Sequence, residues 1–162
     1  MKYISNELLY NNSFFESRDE LTRYAAKTVL GQLKSCLPSF CSMVDVGCGV
    51  GTWLSVAKEQ GALDVLGLDG AWVKTNLLEI GSEQFVESNL VRDLPLRIGR
   101  KFDLAASLEV AEHLPSECSD RLVKTLTDLS DFILFSAAVP FQGGVGHLNE
   151  QYPDYWIEKF RS

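Results

Sequence analysis

The chain carries two histidines, His113 and His147, and the first stands in Glu109-Val110-Ala111-Glu112-His113 behind two carboxylates. Imidazole titrates nearest neutrality of all side chains, so either histidine can act as a general base. On a helical turn Glu109, Glu112 and His113 share one face. With His147 they make two carboxylates and two imidazoles, a set able to hold a divalent ion, Mg2+ or Mn2+ as much as Zn2+. The plainer arrangement stays open: Glu109 borders a bound ligand, Glu112 is solvated, and His113 caps the adjoining turn. A second constellation lies upstream. Asp45-Val46-Gly47-Cys48-Gly49-Val50-Gly51 sets three alternate glycines after an acid, and Asp69 follows 18 residues beyond Gly51. Glycines let a ligand approach bare backbone, and a carboxylate at Asp69 can accept hydrogen bonds from both hydroxyls of a ribose. Asp69 is equally a turn residue, and Gly70 beside it supports a turn.

These residues need elements that deliver them to one edge. Residues 43–46 are a short apolar β-branched run and read as a buried strand, with the glycines as a tight turn at its carboxyl end. A helix of about two turns follows over 53–60 and stops at Gly61. Residues 65–69 read as a second strand, 72–80 as a helix, 84–88 as a third strand and 102–108 as a fourth. A helix from about Ser116 carries Leu122, Val123, Leu126 and Leu129, and 132–137 is a fifth strand. Ahead of all of these, residues 19–33 have helical spacing with Leu21, Tyr24, Ala25, Val29 and Leu33 on or near one face. Pro38 closes that region, and residues 10–15 form a polar, aromatic-bearing arm that either packs over a ligand pocket or, the favoured role, anchors the terminus. Strands alternating with helices predict parallel βαβ units with right-handed crossovers and a ligand at the carboxyl ends of the strands.

The spacing of the glycines selects among nucleotides. A dinucleotide fingerprint needs a third small residue where this chain has Thr52. The sequence Asp45-x-Gly47-x-Gly49-x-Gly51 instead resembles motif I of class I S-adenosylmethionine-dependent methyltransferases. Phe102-Asp103-Leu104 with Ser107-Leu108-Glu109-Val110-Ala111-Glu112-His113-Leu114 resembles a segment of small-molecule methyltransferases, including the ubiquinone-biosynthesis O-methyltransferase type. Gly146-His147-Leu148-Asn149-Glu150-Gln151-Tyr152-Pro153-Asp154-Tyr155-Trp156 is similar to a block that follows the fifth strand in bacterial methyltransferases. The resemblance covers roughly residues 40–160. It implies a Rossmann-like parallel sheet in the order 3-2-1-4-5, S-adenosylmethionine as cofactor and S-adenosylhomocysteine as product. Asp45, Gly47, Cys48, Gly49 and Gly51 would line the cofactor turn, with Cys48 a small side chain that fits there. Asp69 and Gly70 would meet the ribose. Asn89 and Leu90 would meet adenine through an amide oxygen and a backbone N–H, and Leu108 and Glu109 would border the cofactor. The acceptor is then a small molecule, with O-methylation favoured and His113 or His147 as base. Two other functions stay open. One is a cofactor-binding domain that serves as partner or scaffold. The other is an RNA 2′-O-methyltransferase, because the Glu-x-x-Glu-His pattern is similar to that of metal-dependent enzymes of that kind.

Composition narrows the partners. The net charge is −7, from 15 basic and 22 acidic residues, which argues against a broad nucleic-acid footprint. No apolar run reaches membrane-spanning length, and the amino terminus lacks a signal-peptide core. Four cysteines without a Cys-x-x-Cys pair point to reduced thiols and a cytoplasmic location. The expectation is one domain over 1–162, with an arm and helix over 1–38 and a core over 40–160. Strands 6 and 7, usual in the family, are expected to be absent, leaving a sheet edge for a second copy or a partner to cover.

Overall fold

The computed structural model describes residues 12–37 and 40–162, of which 12–19 are described as backbone only. Five strands form one sheet: β1 (Ser42–Val46), β2 (Asp64–Asp69), β3 (Phe85–Glu87), β4 (Leu104–Leu108) and β5 (Ile133–Ser136). Their order is β3-β2-β1-β4-β5 and every pairing is parallel. This is the Rossmann-like order expected. Among the described residues four α-helices accompany them: α1 (Asn12–Cys36), α2 (Thr52–Glu59), α3 (Ser119–Leu129) and α4 (Pro153–Arg161). No helix among the described residues is long and apolar enough to cross a membrane.

The two-residue period of the strands divides the core between two faces. Met43, Leu104 and Ala106 pack with Ala26, Leu30 and Leu54 beneath α1 and α2. Val44, Val46 and Ala105 point the other way, to Leu122, Leu126 and Trp156 of α3 and α4. With both faces covered, the ends of the strands are where function has room. At the amino-terminal end Asp103 ties β1 down, its Oδ2 accepting the Cys41 and Ser42 N–H groups at 2.7 and 2.8 Å.

Three expectations need correction. Helix α1 begins at Asn12 rather than at Asp19, so residues 13–15 are helical backbone; Tyr10, Asn11 and Pro38 lie outside the described residues. Its inner face is also rotated from the one expected. Leu21 and Tyr24 are 75% and 73% exposed, while Ala26 and Leu30 are fully buried. The packed stripe is Ala26, Leu30 and the partly buried Leu33, and on the same side Arg23 reaches Glu59 of α2 and Glu79 beyond β2. Finally, residues 72–80 are not a helix and contain only a 3-10 turn, Thr75–Leu77. The segment is spent on packing over the glycine turn instead: Val73 and Ile80 are buried at its ends, and the Glu79 N–H donates to Val50 O at 2.8 Å.

Candidate active site

At the carboxyl end of β1 the chain turns through Gly47, Gly49 and Gly51, with φ of 89°, 55° and 86°. L side chains rarely adopt such angles, so these positions select glycine. A Cβ on Gly47 would lie 2.3 Å from Val110 Cγ2, so the turn passes directly under the β4 end. Gly47 and Cys48 N–H both donate to Leu68 O of the neighbouring strand, at 2.7 and 3.2 Å. Cys48 is buried beside Gly67, whose missing side chain makes room for its sulfur. Burial and the nearby Asp69 and Asp45 push that thiol well above its usual range, so it is an inert packing group. Thr52, the residue that departs from a dinucleotide fingerprint, is buried and donates its hydroxyl to Glu79.

Asp69 closes β2 beside this turn. Its Oδ2 accepts the Gly49 N–H at 2.7 Å and its Oδ1 the Gly70 N–H at 2.7 Å, and the Trp72 side chain also donates to it. The Trp72 ring occupies the space a Cβ on Gly70 would need. Burial raises the Asp69 pKa, and these three donors hold the rise in check. Asp45 has no such donors. It is 2% exposed, its Oδ1 has no hydrogen-bond partner, and burial followed by the Asp69 charge pushes its pKa to about 8. Between the unfolded value of 3.8 and about 8, the native carboxyl binds more proton than the unfolded one. Stability from this group is therefore complete at low pH and is lost as pH rises through about 8. Asp45→Asn is expected to remove that slope and to be more stable than the parent above pH 8. Thermal melts of both proteins from pH 5 to 9 test this, and superimposable pH profiles would refute it.

The second half of the site is built on β4 and β5. Ser107, fully buried, donates its hydroxyl to Val46 O at 2.9 Å and so fixes β4 to β1. After Leu108 the chain enters φ 56° at Glu109, a left-handed angle unusual for this residue type. The helical turn begins only afterwards, as a 3-10 turn at Ala111–His113. Glu109 therefore does not share a face with Glu112 and His113. Its Oε1 accepts the Ser136 hydroxyl at 2.7 Å and its Oε2 faces Gln142 Nε2 at 3.5 Å, which ties it to the β5 end. The other three members of that set do meet. Ligand atoms of Glu112, His113 and His147 all lie within 4.8 Å of one another. The two imidazoles contact edge to face, with centroids 4.9 Å apart. His147 is brought in because the Leu148 and Asn149 N–H groups donate to Glu112 O at 2.7 and 3.0 Å.

Asn89 is committed locally, its side-chain oxygen accepting the Val91 and Arg92 N–H groups at 3.1 and 3.2 Å. Leu90 beside it is buried. Two residues went unread in the sequence. Glu150 accepts from His147 Nδ1 at 2.8 Å and Trp72 covers Gly70. The spacing of His147 and Glu150, three residues apart, was the available signal for the first; nothing marked the second.

A parallel 3-2-1-4-5 sheet with a glycine turn after β1 and a carboxylate ending β2 defines a class I S-adenosylmethionine-dependent methyltransferase fold. The family model described as a methyltransferase domain matches residues 15–138, and the chain belongs to that family. Among curated proteins it is similar to sphingolipid C9-methyltransferase 2 of Gibberella zeae, at 30% identity over 99 residues. That match takes in 56% of this chain and 19% of the relative, so the chain spans about a fifth of the curated protein's length. Among solved structures it is similar to a SAM-dependent methyltransferase from Archaeoglobus fulgidus, with TM-score 0.67, 18% identity, and 91% and 72% of the two chains covered. It is also similar to the magnesium protoporphyrin IX methyltransferase of Synechocystis with bound SAH, with TM-score 0.59, 23% identity, and 86% and 70% covered.

Proposed function

We propose that this domain binds S-adenosylmethionine across the ends of β1 and β2 and transfers its methyl group to a small-molecule hydroxyl presented from the β4–β5 side. The observation that carries this reading is the Asp69 carboxylate lying 2.7 Å from the Gly49 N–H, an acid beside bare backbone at the sheet's switch point. The electrostatics suit the ligand. S-adenosylmethionine carries a sulfonium and an ammonium, and two buried carboxylates whose pKa values are raised are relieved by a cation beside them. When bound, it supplies an electrophilic methyl carbon. The acceptor oxygen attacks that carbon, the C–S bond breaks with its electron pair left on sulfur, and the hydroxyl proton passes to a base.

His147 suits the role of base. Glu150 accepts from its Nδ1 at 2.8 Å, which leaves the Nε2 lone pair to take a proton. His113 is the neighbouring alternative. The acceptor side bears exposed Phe141, Val145 and Leu148, which favours an acceptor with an apolar body. The sphingolipid and porphyrin named for two of the similar proteins have such bodies. The acidic net charge weighs against an RNA acceptor, and the histidine pair weighs against a scaffold that only binds cofactor. We read α1 and the sheet as one domain, since α1 packs on α2 over the shared core.

Calorimetric titration with S-adenosylmethionine and S-adenosylhomocysteine tests the cofactor, and absence of heat with both sinks the reading. Transfer of radiolabelled methyl to panels of hydroxylated and amine acceptors then tests the chemistry. His147→Ala is expected to lower kcat on a hydroxyl acceptor by about 10²–10⁴-fold with the cofactor Kd unchanged. An undiminished kcat would remove His147 from proton transfer.

A further inference from the structure

We infer that Trp72 is a further residue of the nucleoside seat: its indole N–H holds an acceptor position on Asp69 that a ribose needs, and the two exchange when the cofactor binds. An ionised carboxylate offers about four acceptor positions on its two oxygens. On Asp69 the Gly49 N–H takes one on Oδ2, the Gly70 N–H takes one on Oδ1, and the Trp72 side chain is a third donor. About one position is left. Two ribose hydroxyls need two, so one donor has to yield. Access points the same way. Asp69 is 7% exposed, so a ligand reaches its oxygens after a covering group moves.

Of the three donors, the indole is the one that can move alone. The Gly49 N–H is fixed by the glycine turn, where the Gly51 N–H donates to Cys48 O at 2.9 Å. The Gly70 N–H belongs to the residue that directly follows β2. Trp72 sits in a tight turn closed by the Val73 N–H donating to Gly70 O at 3.1 Å. Its ring folds back so that Cη2, Cζ3 and Cζ2 stand where a Gly70 Cβ would be, and a glycine at position 70 is what admits it. Buried Val73 and Ile80 anchor the segment behind the ring, while Ala71 and Lys74 on either side are exposed. The ring therefore swings about its own side-chain bonds with the anchors in place. Before the exchange the indole supplies a donor to a buried carboxylate that is costly without one. Afterwards the ribose hydroxyls supply it, and the affinity is lowered by the bond given up.

The exchange rests on the proposed placement of a ribose at Asp69, and calorimetry with S-adenosylhomocysteine separates the two. Trp72→Phe keeps a ring over Gly70 and removes the N–H. It is expected to bind S-adenosylhomocysteine about 10-fold more tightly than the parent, because a hydrogen bond to a charged group no longer has to be broken. A ring that merely held the fold, or one that touched the ligand, would give weaker binding instead. Tryptophan emission is the second readout. S-adenosylhomocysteine is expected to shift the emission of the parent, with the shift lost in Trp72→Phe and kept in Trp53→Phe. Heat in the parent with equal or weaker binding by Trp72→Phe overturns the exchange and leaves the cofactor reading standing. No heat in either protein overturns both. If the Trp72→Phe melt shows loss of fold, Trp53→Phe decides, and an emission unmoved by S-adenosylhomocysteine overturns the exchange.

Discussion

Asp69→Asn is expected to weaken S-adenosylmethionine binding by about 10²-fold, with only a small change in the melting temperature of the unliganded protein. On the proposed reading the Asp69 carboxylate would accept from the ribose hydroxyls, and hydrogen bonds to a charged group contribute ~1.5–3 kcal/mol each. Losing the charge while one amide oxygen remains removes about 2.7 kcal/mol, which is two orders of magnitude in Kd. Stability responds differently. The amide keeps one acceptor for the Gly49 and Gly70 N–H groups, and it relieves the Asp69 charge that pushes Asp45 upward. The two effects oppose each other. Calorimetry with S-adenosylmethionine, together with a melt of the unliganded protein, reads both. A parental Kd would remove Asp69 from the ribose; equal losses of Kd and of fold would make its role structural.

Gly47→Ala is expected to destabilise the protein by about 3 kcal/mol, the sum of ~1–2 kcal/mol for a left-handed angle on an L residue and ~1–3 kcal/mol for overpacking. The angle is 89°, and the added methyl would sit 2.3 Å from Val110 Cγ2. For a domain of this size that is a fall of roughly 6–12 °C in Tm. Val110→Ala makes room for the methyl without changing the angle, so Gly47→Ala in that background is expected to cost about half as much. A double-mutant cycle by thermal melts checks the coupling. Additive losses would show that the turn relaxes away from Val110.

Local chemistry was legible in the sequence, and contacts made at a distance were not. The turn at Gly47–Gly51 and the stop at Gly61 are set by positive φ, a demand that falls on single residues and shows as glycine. Parallel pairing follows from alternating elements and the crossover rule, while the order 3-2-1-4-5 came with the resemblance to the methyltransferases. The inner face of α1 follows Ala26, Leu30 and Leu33, a second helical stripe beside Leu21, Tyr24 and Ala25, and Arg23 adds ion pairs to Glu59 and Glu79, partners 36 and 56 residues away. Glu109 failed for a different reason. Helical spacing does not carry across a strand end, and one residue at φ 56° rotates everything before it off the shared face. The spacing argument held for Glu112 and His113, which both lie inside the 3-10 turn.

The Arg23 clasp has a consequence for how the molecule comes apart. Arg23 on α1 pairs with Glu59 near the carboxyl end of α2 and with Glu79, and Glu79 also receives the Thr52 hydroxyl where α2 begins. One guanidinium thus joins both ends of α2 to a helix that precedes the sheet in sequence. Fraying of α1 would release the Glu79 segment and the start of α2 together, so these elements form one cooperative unit of opening. Amides of the glycine turn would then exchange with solvent at the rate set by α1, far from the turn itself.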